Sequence, residues 1–272
     1  MGLRPLDPAA WLEPDEHRDA ELAEKRRLLA RHRDRCTAVV DDPHGAVHSA
    51  ASELLAEVRV HNEALGLATT PATSTGTGAA SAHPIELAGR CTQEDWCLHL
   101  RDGDGDWILA AASVCFPTRW DLRTKIGRSV GEIHAPVPSY DPQLAAPVDA
   151  FLDRLRPDRP VWRLNWNVLD DPRLHQPSHD PPPAGPADGH HLKWWLRVER
   201  QTLRQLPESG AIVFGIRVHV DPLDSLADEP DELRRLERAL RRMPPEAVRA
   251  KGLEPGLDDV LESITRILDG GG

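Results

Sequence analysis

The chain has 272 residues, of which 40% are hydrophobic, and 33 Lys and Arg against 44 Asp and Glu give a formal net charge of −11. This length suits one substantial core or two small ones, and the acidic balance does not favour binding to nucleic acid or to an anionic membrane surface. The chain contains no run of about 18 apolar residues that would predict a membrane-spanning helix. The N-terminal sequence lacks the apolar core of a signal peptide, so we expect a cytoplasmic protein.

The N-terminal third is predicted to be helical. Apolar residues recur at helical spacing over about residues 15–35 and again over residues 43–65. Residues 69–82 are rich in Thr, Ala, Gly and Ser and predict a surface loop. The Gly76-Thr77-Gly78 sequence in this loop does not follow a predicted strand, so it does not indicate a phosphate-binding turn.

The next part of the chain changes to the period-two alternation of β-strands. Residues 94–101 and 107–116 flank the turn sequence Asp102–Asp106 and predict a hairpin. The Asp-x-Asp-x-Asp pattern is also the start of a calcium loop. A calcium loop requires Gly at its sixth position and Glu at its twelfth, where this chain has Trp107 and Ser113, so we expect no calcium site.

Three further strands and two helices complete the predicted elements. The strands are predicted at residues 161–169, 192–206 and 211–220, and the helices near residues 231–242 and 256–268. A short Pro207–Gly210 turn predicts that the last two strands are antiparallel neighbours. The order of helices, strands and helices predicts an α+β fold with one antiparallel sheet of about five strands. We expect residues 1–90 to form a helical region with a loop, 91–225 the core, and 226–272 the C-terminal helices.

The alternation also predicts a polar face on this sheet, formed by Arg163, Asn165, Asn167, Lys193, Trp195, Arg197, Glu199, Gln201, Arg217 and His219. A solvated face is the simplest explanation for an antiparallel sheet. The abundance of Arg, Asn and Gln, with Glu199 among guanidinium groups, instead favours a surface that binds anionic groups and a small polarised molecule.

The segment between hairpin and sheet contains the most informative histidine. Leu122, Ile126, Val130 and Ile133 have helical spacing, and Pro136 predicts that this helix ends near His134. His134 is either a structural residue at a helix end or an axial metal ligand held by a rigid chain. We expect the remaining candidates to be solvated loop histidines and not a metal site: His175, His179, His190 and His191.

Several motifs occur in an order that resembles a known family. They are CFPTRWDLRTKIG from residue 115, EIHAPVPSY from 132, VWRLNW from 161, LRVERQTLRQLPESGAIVFGIR from 196, and Asp-Pro-Leu at 221–223. Together they resemble the haem-dependent oxidative N-demethylase family. The resemblance covers about residues 94–223, is weaker in the N-terminal helices, and is specific for the family but not for a substrate.

This resemblance implies a fold, an activity and partners. The catalytic subunit of the family is a PAS-like domain that binds haem b and oxidises a small secondary methylamine with O2, releasing formaldehyde. Electrons come from NADPH through flavin and iron–sulfur carriers on partner subunits. The chain has neither a dinucleotide-binding fingerprint nor a cysteine set for an iron–sulfur cluster. We therefore expect it to be a haem subunit that requires a separate reductase.

The resemblance also assigns roles to residues. It implies that His134 is the proximal ligand of the haem iron, and that Lys125, Asn165, Arg197 and Arg200 bind the cofactor. Glu199, Arg163 and Arg217 are the candidate catalytic residues. Glu199 would hold a protonated amine, and Arg163 or Arg217 would polarise O2 or bind a propionate. Tyr140 has either a role near the haem or one in packing.

Two alternative functions stay open from the sequence. The protein could be a haem-based gas sensor or regulatory protein without turnover, or a structural domain that binds no haem. We expect the four cysteines, Cys36, Cys91, Cys97 and Cys115, to be reduced buried thiols. A thiolate haem ligand, for which Cys115 is the candidate, is the less favoured alternative.

Overall fold

An open antiparallel sheet is the centre of the protein. The computed structural model describes residues 2–69, 82–134, 145–177 and 194–270. Within these ranges the strands are β1 (Arg4–Pro5), β2 (Thr37–Val39), β3 (Asp95–Arg101), β4 (Trp107–Ser113), β5 (Val161–Leu169), β6 (Trp195–Gln205) and β7 (Ile212–Pro222). They are arranged in the order β1-β5-β6-β7-β3-β4-β2, and every neighbouring pair is antiparallel.

Helices surround this sheet in the described part of the chain. They are α1 (Arg18–Arg31), α2 (Arg33–Cys36), α3 (Ala46–Ala64), α4 (Pro84–Cys91), α5 (Val130–His134), α6 (Ala145–Leu152), α7 (Pro230–Arg241), α8 (Pro245–Ala250) and α9 (Leu257–Leu268). Short 3-10 helices occur at Pro8–Ala10, Leu122–Thr124 and Leu223–Leu226. No helix in the described ranges has the length and apolar composition needed to cross a bilayer.

The α+β class and the antiparallel sheet are confirmed, whereas the strand count of about five is wrong. The five predicted strands are the five long ones, β3 to β7. The two additional strands, β1 and β2, contain only two and three residues, which is too short to produce a period-two pattern. The predicted loop at residues 69–82 lies almost entirely outside the described residues.

Two predicted helices are interrupted. The first breaks at His32, whose φ of −137° separates α1 from α2. The second, which the spacing of apolar residues predicts from Leu122 to near His134, is a 3-10 turn followed by α5. Gly127 lies between them with φ +74°, a left-handed conformation that stops a right-handed helix. Ser129 and Glu132 then start α5 as a capping box, each side chain bonding the other residue's backbone N–H.

The strand register decides which side chains share a face. Arg163 pairs with Gln201, Asn165 with Glu199, and Asn167 with Arg197. In contrast, Arg217 of β7 pairs with Arg200 of β6, while Glu199 pairs with Val218. Directly paired residues project from the same side of a sheet. Arg217, and with it His219, therefore lies on the face opposite Glu199, which corrects the predicted grouping.

Separate apolar clusters cover the sheet. The N-terminal helices α3 and α4 pack on the region around Trp96, with Trp11, Leu54 and Ile85 fully buried between them. The C-terminal helices form a second cluster with Val168 at the end of β5. Each fully buried Leu or Ile side chain contributes about 2 kcal/mol. These two clusters attach the helices to different parts of the sheet. The polar side chains of β5 and β6 line a cavity.

Candidate functional site

A cavity of about 570 Å³ lies against the polar face of β5 and β6. It is bounded by the segment that follows β4, by the end of α5 and by the end of α8. The described residues that line it are Cys97, His99, Leu109, Thr118, Arg119, Trp120, Lys125, Ile133, Arg163, Leu164, Asn165, Trp166, Asn167, Arg197, Glu199, Gln201, Phe214, Ile216, Ala250 and Lys251. This volume is in the range of small-molecule and cofactor sites.

The lining has an apolar part and a polar part. Strands β3, β4 and β7 contribute Cys97, Leu109, Phe214 and Ile216. Strands β5 and β6 contribute amides, guanidinium groups and one carboxylate. The site can therefore receive a ligand that has a large apolar body and charged or polar groups at its edge.

A hydrogen-bonded chain of side chains runs along the polar wall. Arg163 Nε donates to Gln201 Oε1 at 2.7 Å, and Gln201 Nε2 donates to Glu199 Oε2 at 2.8 Å. The Thr118 hydroxyl donates to Glu199 Oε1, and Arg197 Nε donates to the Thr118 oxygen at 2.8 Å. This row of hydrogen bonds therefore begins at the Arg163 guanidinium and ends at the Arg197 guanidinium, with the Glu199 carboxylate near its middle.

Glu199 is 9% exposed and is held by three donors. In addition to Thr118 and Gln201, Asn165 Nδ2 donates to its Oε2 at 3.2 Å. Burial lowers the pKa of the Arg163 guanidinium, and the negative charge of Glu199 opposes this shift. The carboxylate is thus fixed in orientation and faces cations, which suits a group that binds or orients a polar ligand.

The Arg197 guanidinium forms its described hydrogen bonds with other groups of the protein. It is 1% exposed, and besides Thr118 it donates to three backbone carbonyls: Phe116 O at 2.8 Å, Leu174 O at 3.0 Å and Arg173 O at 3.2 Å. The predicted cofactor-binding residue Arg197 thus reaches the cavity wall. Its described contacts make it an anchor that joins β6 to two loops.

The loop after β4 is held by buried charges. Asp95 accepts from the backbone N–H groups of Cys115 at 2.9 Å and Phe116 at 2.7 Å, and Lys25 forms a 3.0 Å ion pair with it. Arg119 has φ +56° and is the only non-glycine residue with positive φ among the described residues. A strained residue that lines a cavity is a common feature of functional sites.

The predicted iron ligand is placed only by its backbone. His134 is the final residue of α5, and its side chain lies outside the described part of the structure. The preceding residue, Ile133, lines the cavity. Lys125 Nζ donates to the carbonyl of Ile133 at 2.8 Å, so this predicted cofactor-binding residue fixes the last turn of α5. Tyr140 lies outside the described residues.

Arg200 and Arg217 do not reach the cavity. Arg200 donates to the carbonyls of Ala10 at 2.5 Å and Trp11 at 3.2 Å. Arg217 is 1% exposed and forms ion pairs with Asp15 at 2.5 Å and Glu21 at 3.0 Å. Both guanidinium groups hold the N-terminal segment on the opposite face of the sheet. This corrects the expectation that they lie beside Glu199, because the register between β6 and β7 places them on the other side.

Sequence reasoning did not single out Thr118 or Lys251. Thr118 belongs to the CFPTRW motif, but nothing in the motif indicates that its hydroxyl contacts Glu199. Lys251 follows α8, in a region predicted only as C-terminal helices, and long-range packing alone brings it to the cavity. Gln201 and Asn167 were members of the predicted polar face without a specific role.

The cysteines and the described loop histidine take structural positions. All four thiols are free and buried. The contact with the Cys36 thiol and burial raise the pKa of Cys115, and Cys115 does not line the cavity, so the structure does not favour it as a thiolate ligand. His175 is not a solvated loop residue as expected, since its Nδ1 contacts the carbonyl of Cys115 at 2.8 Å. The predicted loop histidines His179, His190 and His191 lie outside the described residues.

Fold and site together define an α+β protein with an amphiphilic cavity of about 570 Å³ on one face of an antiparallel sheet. The described residues contain no cluster of three or more His, Cys, Asp or Glu side chains that could hold a metal ion by themselves. The family model described as "Haem-dependent oxidative N-demethylase, alpha subunit-like" matches residues 56–261, which is more than half of the chain. The chain belongs to this family, and the predicted resemblance is confirmed.

Proposed function

We propose that this chain is the haem-binding subunit of an oxidative N-demethylase, and that the cavity beside Glu199 holds haem b and a small N-methylated amine. The amine is oxidised with O2 and its methyl group leaves as formaldehyde. Electrons come from NADPH through flavin and iron–sulfur centres on partner proteins in the cytoplasm. The observation that carries this proposal is the amphiphilic cavity between the polar sheet face and the end of α5, in a chain of this family.

The chemistry of the lining fits haem. A porphyrin ring needs apolar contacts, which Leu109, Phe214 and Ile216 provide, and its propionates need cationic partners at the edge of the site. Lys125, Arg163 and Lys251 are cationic side chains on the cavity wall. When bound, haem supplies the iron at which O2 is activated.

In this proposal His134 is the proximal ligand. The amine of Lys125 donates to the carbonyl of Ile133 and so restrains the backbone of α5 directly before His134. An imidazole presented from a restrained helix end can bind iron with little loss of conformational entropy. Residues 91–225 would then form the PAS-like core. They contain the five long antiparallel strands and α5, and this arrangement supports the assignment.

Glu199 is the proposed amine-binding group. Its carboxylate accepts three hydrogen bonds, and a carboxylate has about four acceptor sites, so one further site remains for an ammonium N–H. This carboxylate would hold the amine by its ammonium N–H and so orient the methyl group, whose carbon is the atom oxidised to formaldehyde. Arg163, which is fixed through Gln201, would orient O2 or a propionate on the same wall.

The proposal is tested by adding haem to the purified chain and recording its absorption spectrum. We expect a Soret band that shifts on addition of dimethylamine, and formaldehyde when NADPH and a reductase are supplied. His134→Ala should lose haem while remaining folded, and His44→Ala, at an exposed position, should bind haem like the wild type. Full haem occupancy with an unshifted spectrum in His134→Ala contradicts the ligand assignment.

Glu199→Gln separates catalysis from cofactor binding. This variant keeps the size of the side chain and removes its charge, so haem binding should be nearly unchanged while amine oxidation falls by about 10²-fold. Equal loss of haem binding and activity indicates a structural role. Haem binding without formaldehyde from any amine supports the alternative of a gas sensor or regulatory protein.

A further inference from the structure

We propose that Lys251 is a carboxylate-binding residue of this cavity, contributed by the C-terminal helices. The inference rests on the proposed function and deepens it by assigning a second charged subsite in the cavity that Glu199 also lines. The carboxylate belongs either to a haem propionate or to an amine substrate that carries an acid group, such as an N-methyl amino acid.

The C-terminal helices bring Lys251 to the cavity through specific contacts with β5. Lys251 Nζ donates to the carbonyl of Trp166 at 2.5 Å and lies 5.0 Å from the centre of its ring. Asn167 Nδ2 donates to the carbonyl of Lys251 at 3.0 Å. Together these contacts fix both the backbone and the ammonium group of Lys251 at the cavity wall.

The charge of Lys251 has no counter-ion in the described part of the protein. No described carboxylate oxygen lies within 4.0 Å of its Nζ. Two buried cations away from the cavity differ in this respect: Lys25 has Asp95 at 3.0 Å, and Arg217 has Asp15 and Glu21. Arg197, which also has no carboxylate partner in the described residues, instead donates to Thr118 and three backbone carbonyls. A half-buried ammonium group at a cavity wall, with one backbone acceptor in place of a carboxylate, is suited to an anionic ligand.

Electrostatics supports the same conclusion. Burial lowers the pKa of the Lys251 ammonium, and the negative charge of Glu199 opposes this shift. Both residues line the cavity, and the charge of Glu199 acts on the Lys251 ammonium there. A ligand with an ammonium near Glu199 and a carboxylate near Lys251 would match both charges, whereas a simple amine would match only Glu199.

The test compares Lys251→Met with the wild type in four titrations: haem, haem dimethyl ester, N-methylglycine and dimethylamine. The two porphyrins are added to the apo protein, and the two amines are added to the haem-loaded protein. Arg249→Gln is the matched control, because it removes a positive charge two residues away that is exposed and paired with Glu254 at 3.6 Å. Circular dichroism checks that the variants are folded.

The affinity for one carboxylate ligand should fall by roughly 10- to 100-fold in Lys251→Met, which is the effect of losing one charge-assisted hydrogen bond. A selective loss for haem over its ester assigns Lys251 to a propionate. A selective loss for N-methylglycine over dimethylamine assigns it to the substrate. Arg249→Gln should change neither, and Lys251→Arg should retain most of the affinity.

Unchanged affinity for all four ligands overturns the inference, and so does an equal loss for the ligands with and without a carboxylate. If the wild type binds neither haem nor its ester, the proposed function fails. The inference is then decided by calorimetric titration of the haem-free protein with N-methylglycine. A heat of N-methylglycine binding that is present in the wild type and absent in Lys251→Met supports the inference. The absence of a binding heat in the wild type contradicts it.

Discussion

Arg197 and Thr118 are 79 positions apart in the chain, yet the Arg197 Nε donates to the Thr118 hydroxyl oxygen at 2.8 Å. That hydroxyl in turn donates to Glu199. One buried guanidinium thus determines where a loop residue lies and, through it, the orientation of the carboxylate in the cavity. The positioning of Glu199 therefore depends on the loop as much as on its own strand.

Thr118→Val tests this dependence. Valine has a similar shape but no hydroxyl, so Arg197 Nε loses an acceptor and Glu199 loses a donor. We expect the free energy of unfolding to fall by about 1–3 kcal/mol, measured by urea denaturation. Thr265→Val is the control, because the Thr265 hydroxyl bonds only within α9 and its loss should have little effect. Equal stability of the two variants contradicts the role given to Thr118.

Arg197→Met is predicted to reduce stability more than Thr118→Val does. The substitution removes the donors to three backbone carbonyls, so the loss should be roughly 3 kcal/mol or more. If Arg197 served mainly to bind a propionate, the variant would keep its thermal stability and lose only haem affinity. Thermal denaturation of the haem-free protein distinguishes these two results.

Acid should weaken the attachment of the N-terminal segment. Burial of Asp15 opposes its ionisation, but the hydrogen bond from Gln93 and the charge of Arg217 outweigh this and place the pKa of Asp15 below its ordinary 3.8. A lowered pKa in the folded state stabilises the protein fully above pH 3.8, and this stabilisation is lost as the pH falls through the folded-state value.

Unfolding by denaturant between pH 2 and 7 measures this effect. Asp15→Asn should lower stability near neutral pH and make the pH profile flatter below 3.8. The control Asp19→Asn, at a fully exposed side chain, should keep the profile of the wild type. A wild-type slope in Asp15→Asn would show that other carboxylates cause the acid sensitivity.

Gly127→Ala is predicted to strain the connection to α5. At φ +74° a Cβ atom would have ordinary contact with Val40 at 3.6 Å, so the cost arises from the backbone conformation and should be about 1–2 kcal/mol. Gly103→Ala, which would meet no atom within 4 Å and has an ordinary φ, is the matched control. A shift of the unfolding midpoint that is no larger for Gly127→Ala than for Gly103→Ala contradicts this explanation.

The sequence by itself determined the family, the α+β class and the five long strands. Strand β5 has the predicted bounds Val161–Leu169, because nine alternating residues give a clear period-two signal. The same alternation placed Arg163, Asn165 and Glu199 on one surface, since neighbouring polar residues on each strand already define a face.

Only the tertiary structure decided which strands bring their faces together. Arg217 alternates like a residue of the polar face, but its register opposite Arg200 puts it on the other side, and register between strands depends on turns and packing that a one-strand pattern does not contain. Lys251 reaches the cavity through the packing of the C-terminal helices on β5, which is a long-range contact. Arg197 donates to the carbonyls of Phe116, Arg173 and Leu174. These are also long-range contacts, so the alternation within its own strand could not predict them.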